Sequence, residues 1–162
     1  LIFCRTIRFE YFVLGQHSLG NEIEKILYSG HGTTDGNYLK QYVDQCLAGI
    51  DTGKYLYLAH PDLFLFNGDE AVFDREYRRL CREVKKRNIP LEINFLGLME
   101  ERWYPNEKFW KIAGEEGNTA VFGCDAHTSK AVWNPETEQK ALQLAAKYGL
   151  KVQETVPMPK TF

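Results

Sequence analysis

Asp125 and His127 are the residues this chain offers most plainly for chemistry. They follow the apolar run Thr119-Ala-Val-Phe-Gly-Cys124, which reads as a short strand. Side chains two apart on a strand point the same way, so the carboxylate and the imidazole are expected on one side, at the strand's end. A carboxylate beside a neutral imidazole is a donor pair for a divalent metal. An exposed turn with a polar pair would leave the same trace in a sequence.

Two further histidines follow strand-like runs. His17 comes directly after Phe9-Glu-Tyr-Phe-Val-Leu-Gly15, and His60 ends Lys54-Tyr-Leu-Tyr-Leu-Ala59, where Pro61 stops the strand. Each has a bland reading, His60 as a strand cap and His17 as a loop residue bonded to backbone. The fourth histidine, His31, lies in the flexible-looking Ser-Gly-His-Gly-Thr loop and reads as structural. Together His17, His60, Asp125 and His127 offer three nitrogens and one oxygen. That set suits zinc, iron or manganese better than magnesium or calcium, which prefer oxygen. One such ion with an open position lowers the pKa of bound water, and two would also clamp a phosphoryl oxygen. Either arrangement predicts hydrolysis. Glu92 and Asn94, in Pro90-Leu-Glu-Ile-Asn94, would contact substrate, support the ligands or orient loops. Arg102 would hold a phosphate bidentately, or stand solvated beside Glu100 and Glu101.

The elements that position these residues alternate. Strand-like runs cover 9–15, 54–60, 90–94, 119–124 and 150–156. Apolar residues at three- and four-residue spacing predict helices over 34–53, 70–88, 105–116 and 134–148, with Pro105 in the first turn of the third, and a short one over 21–28. In the last, Ala141, Leu142, Leu144, Ala145 and Tyr148 form the apolar side, and 95–104 reads as a loop. Alternation of this kind implies a parallel α/β sheet whose functional end is the carboxyl rim of its strands. All the metal-capable residues fall at that rim.

The chain has 162 residues, 44% hydrophobic and 26% charged, with a net charge of −2 and a pI near 6.1. This suits one domain with its own core and argues against a general nucleic-acid or acidic-membrane binder. No run approaches the length of a membrane span. The opening Leu1-Ile-Phe-Cys4 is too short for a signal peptide, and the lack of an initiator Met suggests a start inside a longer protein. Cys4, Cys46, Cys81 and Cys124 form no CxxC pair, which points to free thiols and a cytoplasmic setting. Cys124 is expected to point away from Asp125, into packing.

Four blocks resemble the PHP-domain metallophosphoesterases, and within them the histidinol-phosphatase branch. They are Phe9-Glu-Tyr-Phe-Val-Leu-Gly-Gln-His17, Tyr57-Leu-Ala-His-Pro-Asp-Leu63, Leu91-Glu-Ile-Asn-Phe-Leu-Gly-Leu98 with Tyr104-Pro105, and Val121-Phe-Gly-Cys-Asp-Ala-His-Thr128. The resemblance implies a distorted (β/α)7 TIM-like barrel, with up to three metals at its carboxyl rim and metal-bound hydroxide as nucleophile. It implies a small-molecule phosphomonoester as substrate, histidinol phosphate first. His17, His60, Asp125 and His127 would be metal ligands, Asp125 and His127 catalytic, and Glu92, Asn94 and Arg102 substrate-binding. The family's opening His-x-His strand has no counterpart in residues 1–8, so a single PHP-type domain truncated at its N-terminus is expected. Residues 64–66 also lack the arginine with which relatives often hold phosphate. The alternatives are a phosphodiesterase or exonuclease of the same type, and a non-catalytic binding module that keeps the fold.

Overall fold

In a computed structural model, which describes residues 11–20 and 27–157, the chain forms a parallel sheet with helices between successive strands. The strands are β1 (Phe12–Leu14), β2 (Tyr55–Leu58), β3 (Leu91–Asn94), β4 (Thr119–Gly123) and β5 (Lys151–Val152), and they lie side by side in chain order. Every neighbouring pair is parallel. The helices are α1 (Gly36–Asp51), α2 (Glu70–Lys86), α3 (Phe95–Met99), α4 (Glu107–Glu116) and α5 (Pro135–Lys147).

The alternating α/β order therefore holds, and the barrel itself is not formed by these strands. Among the described residues the sheet is open, with β1 and β5 at its edges. Closing a barrel requires the first and last strands to pair, with enough strands for tilt and stagger to match. Here the two edge strands have no pairing with one another. No described helix is long and apolar enough to cross a membrane.

Local chemistry sets the helix ends. Asp35, Asp69, Asn106 and Asn134 each cap a helix by accepting from its first free amides. In α2, Tyr77, Leu80, Cys81 and Val84 recur at helical spacing and are all buried. Burying a side chain such as Leu80 contributes about 2–3 kcal/mol. These residues join Leu39, Tyr42, Val43 and Cys46 of α1, Leu91 and Ile93 of β3, and Phe109 and Trp110 of α4 in one core.

Four expectations need correction. Residues 95–99 are helical, because Asn94 turns its carbonyl oxygen onto the Gly97 amide and caps a short helix. Pro105 precedes the third main helix, whose cap is Asn106. Leu142 is 49% exposed and lies off the buried stripe of α5, which runs through Ala141, Leu144 and Ala145. The run 119–124 stops as a strand at Gly123. The expected helix over 21–28 lies largely outside the described residues, although Tyr28 bridges antiparallel to Ser18. The start of the first strand and Cys4 lie outside them too.

Cys124 packs against the core and donates its thiol to the Val132 carbonyl at 2.9 Å. Cys46 and Cys81 are buried, and burial pushes the Cys46 thiol up to about 12. Where α4 meets the turn after α5, a methyl group at Gly114 would stand 2.1 Å from the Tyr148 carbonyl oxygen. Gly114→Ala is therefore expected to lose about 1–3 kcal/mol of stability by forcing α5 outward, measured by urea unfolding.

Candidate active site

The carboxyl rim collects the histidines through two tightly held loops. β1 ends at Leu14, and Gln16 anchors the following turn by donating to Ser18 O at 2.5 Å and to Gln45 of α1 at 3.1 Å. The Ser29 amide bonds the His17 carbonyl at 2.9 Å. His17 is exposed on this turn.

The loop after β2 is fixed from several sides. Buried Tyr42 donates its hydroxyl to Pro61 O at 3.1 Å, and buried Tyr77 donates to Phe64 O at 3.2 Å. Trp103 donates its indole N–H to Leu63 O at 2.8 Å. Asp62, also buried, accepts from the Asn106 amide at the start of α4. Its other oxygen and the Trp110 indole N–H are both buried without a bond of normal geometry, yet the indole still draws the Asp62 pKa down. Burial dominates and lifts Asp62 to about 7.

This loop presents His60 beside His17. The ring centroids are 4.8 Å apart and the rings meet edge to face. Gly15 gives the rings room, since a methyl group there would lie 2.9 Å from His17 Cε1 and 3.3 Å from His60 Cε1. Burial, then the neighbouring His17, pushes His60 down to about 4, so it is neutral near pH 7. Its Nδ1 is buried with no hydrogen-bond partner. Tyr104 closes another side, its ring centroid 6.1 Å from that of His60.

Asp125 and His127 also come together, though not by strand alternation. Past Gly123 the backbone turns, and Asp125 adopts φ 47°, in the left-handed region. That turn brings Asp125 Oδ1 to 3.4 Å from His127 Nε2. His127 is 74% exposed and Asp125 34% exposed by side chain. His60 is left-handed as well, with φ 30°. Such conformations cost a non-glycine residue about 1–2 kcal/mol each and persist where surroundings enforce them. Hydrogen bonds through Glu92 and Asn94 link the His60 amide to Asp125 Oδ2.

Between the pairs lie Glu92 and Asn94, both buried on β3. Glu92 Oε2 accepts from the His60 amide at 3.0 Å and from Asn94 Nδ2 at 3.0 Å. Asn94 Nδ2 also reaches Asp125 Oδ2 at 3.3 Å. The side chains expected to touch substrate are thus turned toward the protein's own groups. Arg102 pairs with Glu100 at 2.6 Å and donates from Nη1 to the Tyr104 hydroxyl at 3.0 Å, at the edge of the rim. His31 sits in a 3-10 turn against Tyr28, with ring centroids 5.5 Å apart.

The donors suit a borderline divalent ion in kind. His60 supplies a neutral imidazole with an unpartnered nitrogen, and Asp125 supplies a carboxylate beside a second imidazole. Among the described residues, however, no three His, Cys, Asp or Glu side chains gather closely enough to enclose an ion. The donors stand as two pairs, His17 with His60 and Asp125 with His127.

Tyr104, Asp62, Tyr42 and Tyr77 escaped the sequence reading. Asp62 stood in the His60-Pro-Asp block and Tyr104 before Pro105, so both were visible as neighbours of site motifs. The two tyrosines look like ordinary core positions in their helices. A groove of about 680 Å³ between α2 and α4, lined by Phe73, Arg78, Lys111 and Glu115, has mixed charge and takes in none of His17, His60, Asp125 and His127.

The crystal structure of histidinol phosphate phosphatase from Lactococcus lactis, complexed with zinc, L-histidinol and phosphate, superimposes with a TM-score of 0.66 at 19% identity over 99% of this chain. Over the part of that structure it covers, this chain shares its fold. A candidate histidinol phosphatase from Listeria monocytogenes matches 78% of the chain with a TM-score of 0.51 at 20% identity. The chain spans 65% of the first structure's length and 56% of the second's. No protein-family profile matches it, and no curated protein matches it in sequence.

Proposed function

We propose that the chain belongs to a cytoplasmic, metal-dependent phosphomonoester hydrolase of the PHP type and forms one domain of that type. Histidinol phosphate is the first candidate substrate. The observation that carries this reading is the contact between His17 and His60 at the strand rim, with His60 neutral and its Nδ1 buried and unpartnered. A buried imidazole nitrogen without a partner is costly unless something is bound there. The likeness to a phosphatase solved with zinc, L-histidinol and phosphate supports the same reading.

In this proposal His17, His60, Asp125 and His127 hold the ion, with zinc favoured over iron or manganese by the neighbour's zinc. A divalent ion there would supply Lewis acidity toward a phosphoryl oxygen. The chain's own groups do the rest. Asp125 orients the His127 imidazole through Oδ1, at 3.4 Å, and these two carry the catalytic assignment. Arg102, already steadied by Tyr104, offers a guanidinium for the phosphate. Arg102→Ala is expected to raise KM for a phosphomonoester about 10-fold and to change kcat less, as steady-state kinetics would reveal.

Metal analysis of the purified chain, together with hydrolysis of histidinol phosphate and of a phosphodiester, tests the proposal. Near-stoichiometric zinc with preferred cleavage of the monoester is the expected result. Preference for the diester would move the reading to the phosphodiesterase type. A second reading, a binding module without catalysis, draws on the lack of a three-donor cluster among the described residues. It wins if the chain binds metal and phosphate but turns nothing over.

A further inference from the structure

Two of the rim residues share an unusual backbone state. His60 has φ 30° and Asp125 φ 47°, and they follow different strands, β2 and β4. A buried pair on the strand between them joins the two. Glu92 Oε2 takes the His60 amide proton and one from Asn94 Nδ2, each at 3.0 Å. Asn94 Oδ1 accepts from the Gly97 amide at 3.0 Å, which turns its nitrogen toward Glu92 and, at 3.3 Å, toward Asp125 Oδ2. The chain is continuous from one left-handed residue to the other: His60 amide, Glu92, Asn94, Asp125.

The opposite strand is shaped to admit it. Gly123 of β4 faces Asn94 in the ladder, and a methyl group at Gly123 would stand 1.7 Å from Glu92 Oε1. Only a residue without a side chain leaves the Glu92 carboxyl where it is. Glu92 and Asn94 are 4% and 1% exposed, which leaves little surface for a substrate to touch.

We infer that Glu92 and Asn94 are positioning residues that fix the backbone at His60 and the carboxylate of Asp125 relative to one another. The inference rests on the metal-site reading above. It makes a specific demand on the chemistry at position 92. Both bonds end on one oxygen, so an acceptor at that point suffices and the negative charge does not matter. Glutamine supplies such an oxygen in a side chain of the same shape.

The test is zinc binding to the purified chain by titration calorimetry, with zinc chloride alone as the probe, and amide exchange of His60 by ¹⁵N NMR without any ion. Glu92→Ala and Gly123→Ala are expected to weaken zinc binding about 10- to 100-fold, the usual effect of losing a group that orients a ligand. Glu92→Gln is expected to bind zinc like the wild type. The His60 amide should exchange faster in Glu92→Ala and Gly123→Ala, and at the wild-type rate in Glu92→Gln. Wild-type zinc affinity and His60 exchange in Glu92→Ala overturn the inference. So does a Glu92→Gln variant as weak as Glu92→Ala, which would make the charge itself the working group. If Glu92→Ala does not fold, Gly123→Ala carries the comparison, since it displaces the carboxyl but deletes no polar group. Asp125→Asn separates the two levels. Undiminished zinc binding there sinks the metal reading, while the ion-free His60 exchange still decides whether the link exists.

Discussion

Asp125→Asn is expected to lower zinc affinity by more than about 100-fold and to cut phosphomonoester turnover with it, because it removes a charged ligand outright. The variant isolates charge from shape. Asn keeps the volume and one acceptor oxygen, so Asn94 Nδ2 retains a partner at the position where it now meets Oδ2 at 3.3 Å. Asn also tolerates the left-handed backbone of residue 125 as well as Asp does. The fold should therefore survive, with unchanged far-UV circular dichroism. Metal content by elemental analysis and kcat with histidinol phosphate are the two readouts. If both remain at the wild-type level, residue 125 is no ligand and the rim assignment is wrong.

The second large effect is a pair of opposed pH dependences near the same loop. Asp62 titrates near 7 in the folded chain, raised by burial from its ordinary 3.8. The folded form then holds a proton that the unfolded form has released, so the contribution of Asp62 to stability is full below about pH 4 and lost as pH rises through 7. Its size is at most roughly 4 kcal/mol. Burial also raises Glu92, which acts in the same direction. His60 works the other way. Its pKa falls from 6.5 to about 4, so the folded form resists protonation, and its contribution is full above about 6.5 and lost as pH falls toward 4. That amounts to roughly 3 kcal/mol. In the wild type the two slopes largely offset. Asp62→Asn should leave stability rising from pH 4 to 6.5, and His60→Asn should leave it falling from pH 4 to 7. Urea midpoints across that range check both. A flat profile in both variants would mean that neither group is as buried in solution as in the structure.

Much of the frame was legible because it rests on periodicity. Leu39, Val43, Cys46 and Ile50 announce α1 by spacing alone, and all four are buried. The helix starts expected at Glu70 and at Asn134-Pro135 are kept by the structure. What could not be read depended on contacts from far along the chain. Gly97 looks like a loop glycine, yet it lies in α3, where a methyl group would stand 2.4 Å from the Tyr104 carbonyl oxygen. Its small size serves packing rather than a turn. Glu92 alternates with Ile93 on β3, and alternation cannot say that the polar face is buried too. The Asp125–His127 pair was expected for the wrong local reason, since a left-handed turn, and not the strand, brings it together. Whether the sheet closes was beyond periodicity altogether. The spacing of strands and helices is the same in an open parallel sheet and in a barrel.

The strand order has a consequence for how the protein is made. Because β1 to β5 lie side by side in the order of the sequence, each strand leaving the ribosome finds its neighbour already synthesised. The sheet can thus grow from one edge during translation, without waiting for a distant segment. The contact between His17 and His60 uses only segments that precede β4 in the chain. Asp125 and His127 arrive last, so the rim is assembled only when the nascent chain has cleared the fourth strand.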